Sequence, residues 1–213
     1  IEDITVNQGI DPRNAVLIGG VGSVDHTITG GSGDDKVEMA ATIDANDTID
    51  LGSGTDTVSI TGDHTTAFSG ITGVEKVEIK EANLANGQTR EVSGKFVAGA
   101  TTFIHNITPG ADNASVVTTF SNLDSGDTIQ VDAAGSDTGS NGVDIIGTFT
   151  TDTLADSLTL KLSGLDAVSA TATDDKGISD ITLDTVETLN IESNNNSSNT
   201  IVESGVEVLN VAA

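Results

Sequence analysis

Residues 29–39 read TGGSGDDKVEM. Three glycines and two aspartates in this order can present oxygen atoms to a hard cation. Glycine admits positive φ and lets a peptide carbonyl turn outward, and aspartate adds an anionic oxygen. Written as a nonapeptide G-G-x-G-x-D-x-U-x, with U a large aliphatic residue, the stretch matches at Gly30, Gly31, Gly33, Asp35 and Val37. LGSGTDTVS (51–59) repeats it at Gly52, Gly54, Asp56 and Val58, with Leu51 in place of the first glycine. Weaker copies keep Asp47 and Ile49 in TIDANDTID (42–50), Asp127 and Ile129 in LDSGDTIQ (123–130), and Gly139, Gly142, Asp144 and Ile146 in GSNGVDIIG (139–147). The candidate cation ligands are therefore the carboxylates of Asp35, Asp47, Asp56, Asp127 and Asp144. The carbonyls of Gly31, Gly33, Gly52 and Gly54 are candidates with them. Calcium, which takes six to eight oxygens in a flexible shell, suits such a set better than magnesium. Asp35 and Asp56 make the best same-side pair, and Asp34, at the variable position, is expected to face solvent.

These turns must be held by strands. KVEM (36–39), TVSI (57–60), KVEIK (76–80), TIQV (128–131), SLTLKL (157–162), TLNI (188–191) and VLNV (208–211) alternate apolar and polar residues with period two. Such alternation marks half-buried strands. Gly, Asn, Asp and Ser clusters separate them. A second repeat, V-E-x-[VL]-x-[IV], begins at Val74–Glu75, Val186–Glu187 and Val206–Glu207, the last two copies lying one coil's length apart. A short period with one strand per copy predicts a parallel β-solenoid, and the crossover rule predicts a right hand. The repeated glutamates read as outward polar residues at strand starts. Helical periodicity is weak. Its best stretch is 81–91, and residues 81–125, the poorest fit to the repeat, are expected to form an insertion or a bend. An antiparallel β-sandwich is the competing architecture. The expected division is a β-roll segment over 1–62 and a solenoid over 63–213 continuing from it.

Composition narrows the function. The chain has 213 residues, 33 acidic against 8 basic, and a net charge of −25. That charge disfavours nucleic acid and anionic membrane as partners. Five Phe and no Tyr or Trp leave the interior to aliphatic side chains and deny a sugar-binding aromatic platform. There is no cysteine, so neither a disulfide nor a thiolate metal site is possible, and calcium is the natural staple. No apolar run reaches membrane-spanning length. His-Glu zinc, nucleophile-elbow and phosphate-loop motifs are missing, and the expectation is a non-enzyme. His26, His64 and His105 read as isolated surface or turn residues. The chain opens on Ile1 rather than Met, which reads as a piece of a longer protein.

Glycine-aspartate nonapeptides joined to V-E-x-L-N-V strands in a cysteine-free, Thr/Asn/Asp/Gly-rich chain resemble the RTX-containing surface-layer proteins of Gram-negative bacteria. That resemblance implies an all-β solenoid with a short calcium-binding β-roll. It also implies type I secretion to the cell surface and self-assembly into a lattice, with calcium holding coils and subunits together. A cell-surface polysaccharide is the anchoring partner it suggests. The alternative role is a calcium-dependent surface adhesin or ligand-binding module.

Overall fold

The computed structural model describes residues 4–7, 15–18, 25–39, 43–85, 87–109, 116–132, 143–151, 153–162, 178–183, 186–193, 201–203 and 206–212. Among them the chain is all β, with eighteen strands and no helix. Nine strands form one long sheet: β2 (Ala15–Ile18), β4 (Lys36–Met39), β6 (Thr57–Ile60), β8 (Lys76–Leu84), β10 (Thr102–Pro109), β12 (Thr128–Val131), β14 (Ser157–Leu162), β16 (Thr188–Ser193) and β18 (Val208–Ala212). The intervening strands fall into two shorter sheets. One holds β1 (Ile4–Asn7), β3 (His26–Ser32), β5 (Thr48–Ser53) and β7 (Ile71–Thr72). The other holds β9 (Thr89–Ser93), β11 (Val116–Leu123), β13 (Val143–Phe149), β15 (Ile178–Leu183) and β17 (Ile201–Glu203). Except between β7 and β9, each strand pairs in parallel with the strand two places along, so the chain returns to the long sheet on every second strand. This order is compatible with a β-solenoid. Among the described strands it replaces the antiparallel sandwich considered from the sequence.

Register gives the length of each return. Lys36 sits opposite Thr57, a step of 21 residues, as does Thr27 opposite Thr48. In the middle of the chain the steps lengthen, with Thr102 opposite Thr128 and Ser157 opposite Thr188. They shorten again where Leu189 meets Leu209, so the two neighbouring V-E copies do stack. The variable step is why a fixed period is hard to see in the sequence.

Inward residues alternate along strands such as β4, β12 and β14 and pile into columns, such as Ile60–Ile79–His105–Val131–Leu162 in the long sheet. In the first coils the filling is aliphatic, with Ile28, Val37, Ile49, Leu51 and Val58 buried. Farther along, Phe joins the filling: the Phe103 and Phe120 rings lie 6.1 Å apart and those of Phe68 and Phe96 6.4 Å.

The helical stretch expected at 81–91 is instead the end of β8 and the start of β9. Residues 81–84, 89–93, 102–109 and 116–123 continue the ladders rather than forming an insertion. A discontinuity does exist, but on one side only. The odd-numbered strands change sheet between β7 and β9, where His64 bridges to Val92 and the 62–70 segment lies along β9. The long sheet runs past this change without a break.

Candidate metal centre

The two Gly-Asp turns stack directly. Gly31 is opposite Gly52 and Ser32 opposite Ser53, and the Gly33 amide donates to the Ser53 carbonyl at 2.9 Å. Gly52 and Gly54 hold φ of 88° and 152°, values that favour glycine. A Cβ at either would collide with the carbonyl oxygen of Gly31 or Gly33. Glycine is thus required for coil-on-coil approach whether or not the carbonyls also serve a cation.

The carboxylates of this corner interlock coil by coil. The Asp35 amide donates to Asp56 Oδ1 at 2.6 Å, and the Asp56 amide donates to Glu75 Oε2 at 2.8 Å. The Gly31 amide donates to Asp35 Oδ2 at 3.2 Å. Asp34 is exposed as expected, yet its Oδ1 also accepts, from the Thr55 amide at 2.8 Å. One atom stands apart. Asp56 is fully buried, and its Oδ2 has no hydrogen-bond partner among the described residues. Burial pushes its carboxyl above the ordinary value; the Asp35 amide works against this, while Glu75, Asp35 and Asp34 add to it by like-charge repulsion. A buried carboxylate oxygen among three other carboxylates is a strong attractor for a cation.

The remaining predicted ligands do not join this corner. Asp47 and Asp127 close their own turns. Asp47 Oδ2 accepts the Asp44 amide at 2.8 Å, and its Oδ1 accepts the His26 amide and lies 2.8 Å from His26 Nδ1. Asp127 Oδ2 accepts the Asp124 amide at 2.8 Å, and burial pushes its carboxyl up to about 6. Asp144 is the second residue of β13, opposite Val117 and Asp180. The turn expected before it, with Gly139 and Gly142, lies outside the described residues.

Asp156, not singled out from the sequence, belongs with Asp47 and Asp127. It is buried, and its two oxygens accept the amide and the hydroxyl of Thr153, each at 2.8 Å. DANDTI (44–49), DSGDTI (124–129) and TLADSL (153–158) share the pattern [DT]-x-x-D-[ST]-[IL], the local signal that marks it. The glutamates of the V-E repeat also do more than face outward. Glu75 accepts from Asp56, and Glu187 Oε2 accepts the Asp156 amide at 2.8 Å, each tying a coil to the one before it. The histidines correct the surface expectation twice. His26 and His105 are buried at 2% and 0% exposure, while His64 is half-buried and 4.5 Å from the Phe96 ring. His105 Nδ1 lies 3.0 Å from Thr118 Oγ1, and burial pushes its pKa down to about 4.

Among the described residues no group of three or more His, Cys, Asp or Glu side chains is arranged to hold a metal by itself. A cation at the 30–35/51–56 corner would need backbone carbonyls beside the Asp56 and Asp35 carboxylates, as an oxygen-rich calcium shell allows. No family model, no curated protein and no solved structure matches this chain. Among the described residues no helix is long and apolar enough to cross a membrane.

Proposed function

We propose that this chain is a calcium-stabilised right-handed β-solenoid serving as a structural protein of a bacterial cell surface, where copies assemble into an S-layer lattice. The observation that carries the calcium part is the buried, unpartnered Asp56 Oδ2 beside Glu75, Asp35 and Asp34, at the contact between two stacked Gly-Asp turns. The surface-layer role and secretion rest on the resemblance of those nonapeptides and the V-E strands to RTX surface-layer proteins. A net charge of −25 supports a cation-dependent assembly, because neighbouring copies repel until cations screen or bridge them.

Calcium that binds the folded chain alone stabilises it by RT ln(1 + [L]/Kd), roughly 2.7 kcal/mol per site at 100-fold excess over Kd. The test is thermal unfolding in millimolar calcium and in EDTA, with electron microscopy of both samples. The expected result is a higher Tm and two-dimensional sheets with calcium. Equal Tm values would remove the calcium site, and dispersed particles in calcium would remove the lattice.

A further inference from the structure

The charge of this molecule is unevenly placed. The outward face of the long sheet carries Lys36, Lys76, Lys80 and Lys161, half of the chain's 8 basic residues. Its outward carboxylates are Glu38, Glu78 and Glu192, with Asp132 at the margin beside Gln130. Four cations against four anions make this face neutral on a molecule of −25. One column across it has no carboxylate: Lys36, Thr57, Lys76, Thr102, Thr128, Thr159, Asn190 and Asn210 follow one another in unbroken register. The other described charged residues outside the long sheet's strands include only two cations, Arg90 and Lys95. Arg90 is held by Glu81 through Nε at 2.6 Å, and Lys95 pairs with Asp124.

We propose that this face is the surface through which two copies of the chain associate, face to face. The inference rests on the self-assembly reading above and names the surface that serves it. Two chains of like charge meet at least cost where the local charge of each cancels. An anionic polymer gains nothing from a neutral face, whereas a second copy of this acidic chain escapes there the repulsion that its charge of −25 imposes elsewhere. The lysines and glutamates of this face already pair within the chain, Lys36 with the buried Glu78, Lys80 with Glu38 at 2.7 Å and Lys161 with Glu192 at 3.3 Å, so the face meets a second copy with its charge cancelled. Beyond Lys76, short Thr and Asn side chains keep this column low. Eight strand spacings of about 4.8 Å, by about 13 Å of strand length, give about 500 Å² per copy. The total, about 1,000 Å², is near the lower limit of a specific interface. The contact is therefore weak by itself and adds up only across many copies.

The test is sedimentation equilibrium of the wild-type chain in calcium and in EDTA at moderate salt, beside the variants Lys76→Glu, Lys76→Glu/Thr128→Glu and Lys95→Glu. Circular dichroism shows whether each variant is folded. The expected result is association of the wild type, a dissociation constant at least tenfold higher for Lys76→Glu and higher still for the double variant, and none of this for Lys95→Glu. Lys95 lies off the face and controls for net charge. If the wild type associates and Lys76→Glu matches it, or Lys95→Glu weakens association as much, the face is wrong while self-assembly stands. A wild type that stays monomeric in both conditions overturns the face and the lattice together.

Discussion

Two corners of the same molecule use aspartate in opposite ways. At 30–35/51–56, Asp56 gives one oxygen to the neighbouring coil's amide and keeps the other buried without a partner. At 153–156, Asp156 gives both oxygens to Thr153, and its amide is held by Glu187. The second corner is closed by its own hydrogen bonds. The first leaves one buried carboxylate oxygen open, the position proposed above for a cation. Residue type and spacing alone do not separate the two, since both kinds of Asp directly precede a strand. What separates them is whether the turn in front offers its own donor. A [DT]-x-x-D turn does; in the 51–56 turn the Gly52 amide goes to Asp50 and the Thr55 amide to Asp34, and neither reaches Asp56 Oδ2.

The glycines give the largest expected contrast. Gly54→Ala puts a Cβ against the Gly33 carbonyl at a φ of 152°. The cost should be about 3 kcal/mol or more, because backbone on both sides must move. Gly126, in the DSGD turn, has a φ of 97°, but a methyl group there would meet nothing within 4 Å. Gly126→Ala should cost only the left-handed strain, about 1 kcal/mol. Urea unfolding of the two variants decides it, and equal losses would mean that the first corner is not packed coil on coil.

The middle coils differ from the first in a second way, through His105. It sits in an otherwise aliphatic column between Ile79 and Val131, and Nε2 has no partner among the described residues. β11 and β12 bring no titratable side chain within their strands, and those of β8 near it face the outer side of the sheet. Its folded pKa of about 4 lies below the ordinary 6.5. The unfolded chain therefore takes up a proton first as pH falls. Stability is full above about 6.5 and is lost down to about 4, by up to about 3 kcal/mol. His105→Gln should be less stable at pH 7 but should show a flatter acid limb. A wild-type slope retained in the variant would place the titration elsewhere.

Loss of a cap comes next. Asp156→Ala strips the Thr153 amide and hydroxyl of their buried acceptor, at about 2 kcal/mol. The loss should be the same in calcium and in EDTA, since this corner needs no ion. A loss seen only in calcium would make Asp156 a ligand and erase the distinction between the corners.

Much of this is legible in the residues themselves. The 30–35 and 51–56 turns announce their stacking because they repeat almost residue for residue, and strands such as KVEM and TVSI alternate cleanly. Asp47 and Asp127 cannot be told from Asp35 and Asp56 in the sequence, because each precedes the same kind of aliphatic strand. That each also accepts an amide of its own turn appears only in the structure. The burial of His105 is hidden because an inward imidazole has no sequence marker in a strand whose alternation, FIHNI (103–107), stays intact around it. The change of sheet between β7 and β9 has no local signal either, since each flanking strand is satisfied by pairing with its own neighbour.

The smallest effect is the most telling, because its sign should change with conditions. Asp56→Asn keeps Oδ1 as an acceptor for the Asp35 amide and removes a buried charge that Glu75, Asp35 and Asp34 oppose. In EDTA that charge has no counterion, so the variant should match the wild type or gain about 1 kcal/mol. In millimolar calcium the wild type recovers the advantage, because an anionic oxygen holds the ion better than an amide oxygen. Calcium should therefore raise the Tm of the wild type more than that of Asp56→Asn, and calorimetric titration should give the variant a weaker calcium affinity. Asp34→Ala, which removes an exposed acceptor for Thr55, should lower stability slightly in both conditions and leave the calcium increment unchanged. If Asp56→Asn is destabilised equally with and without calcium, Asp56 is a cap like Asp156, and the two corners are the same device.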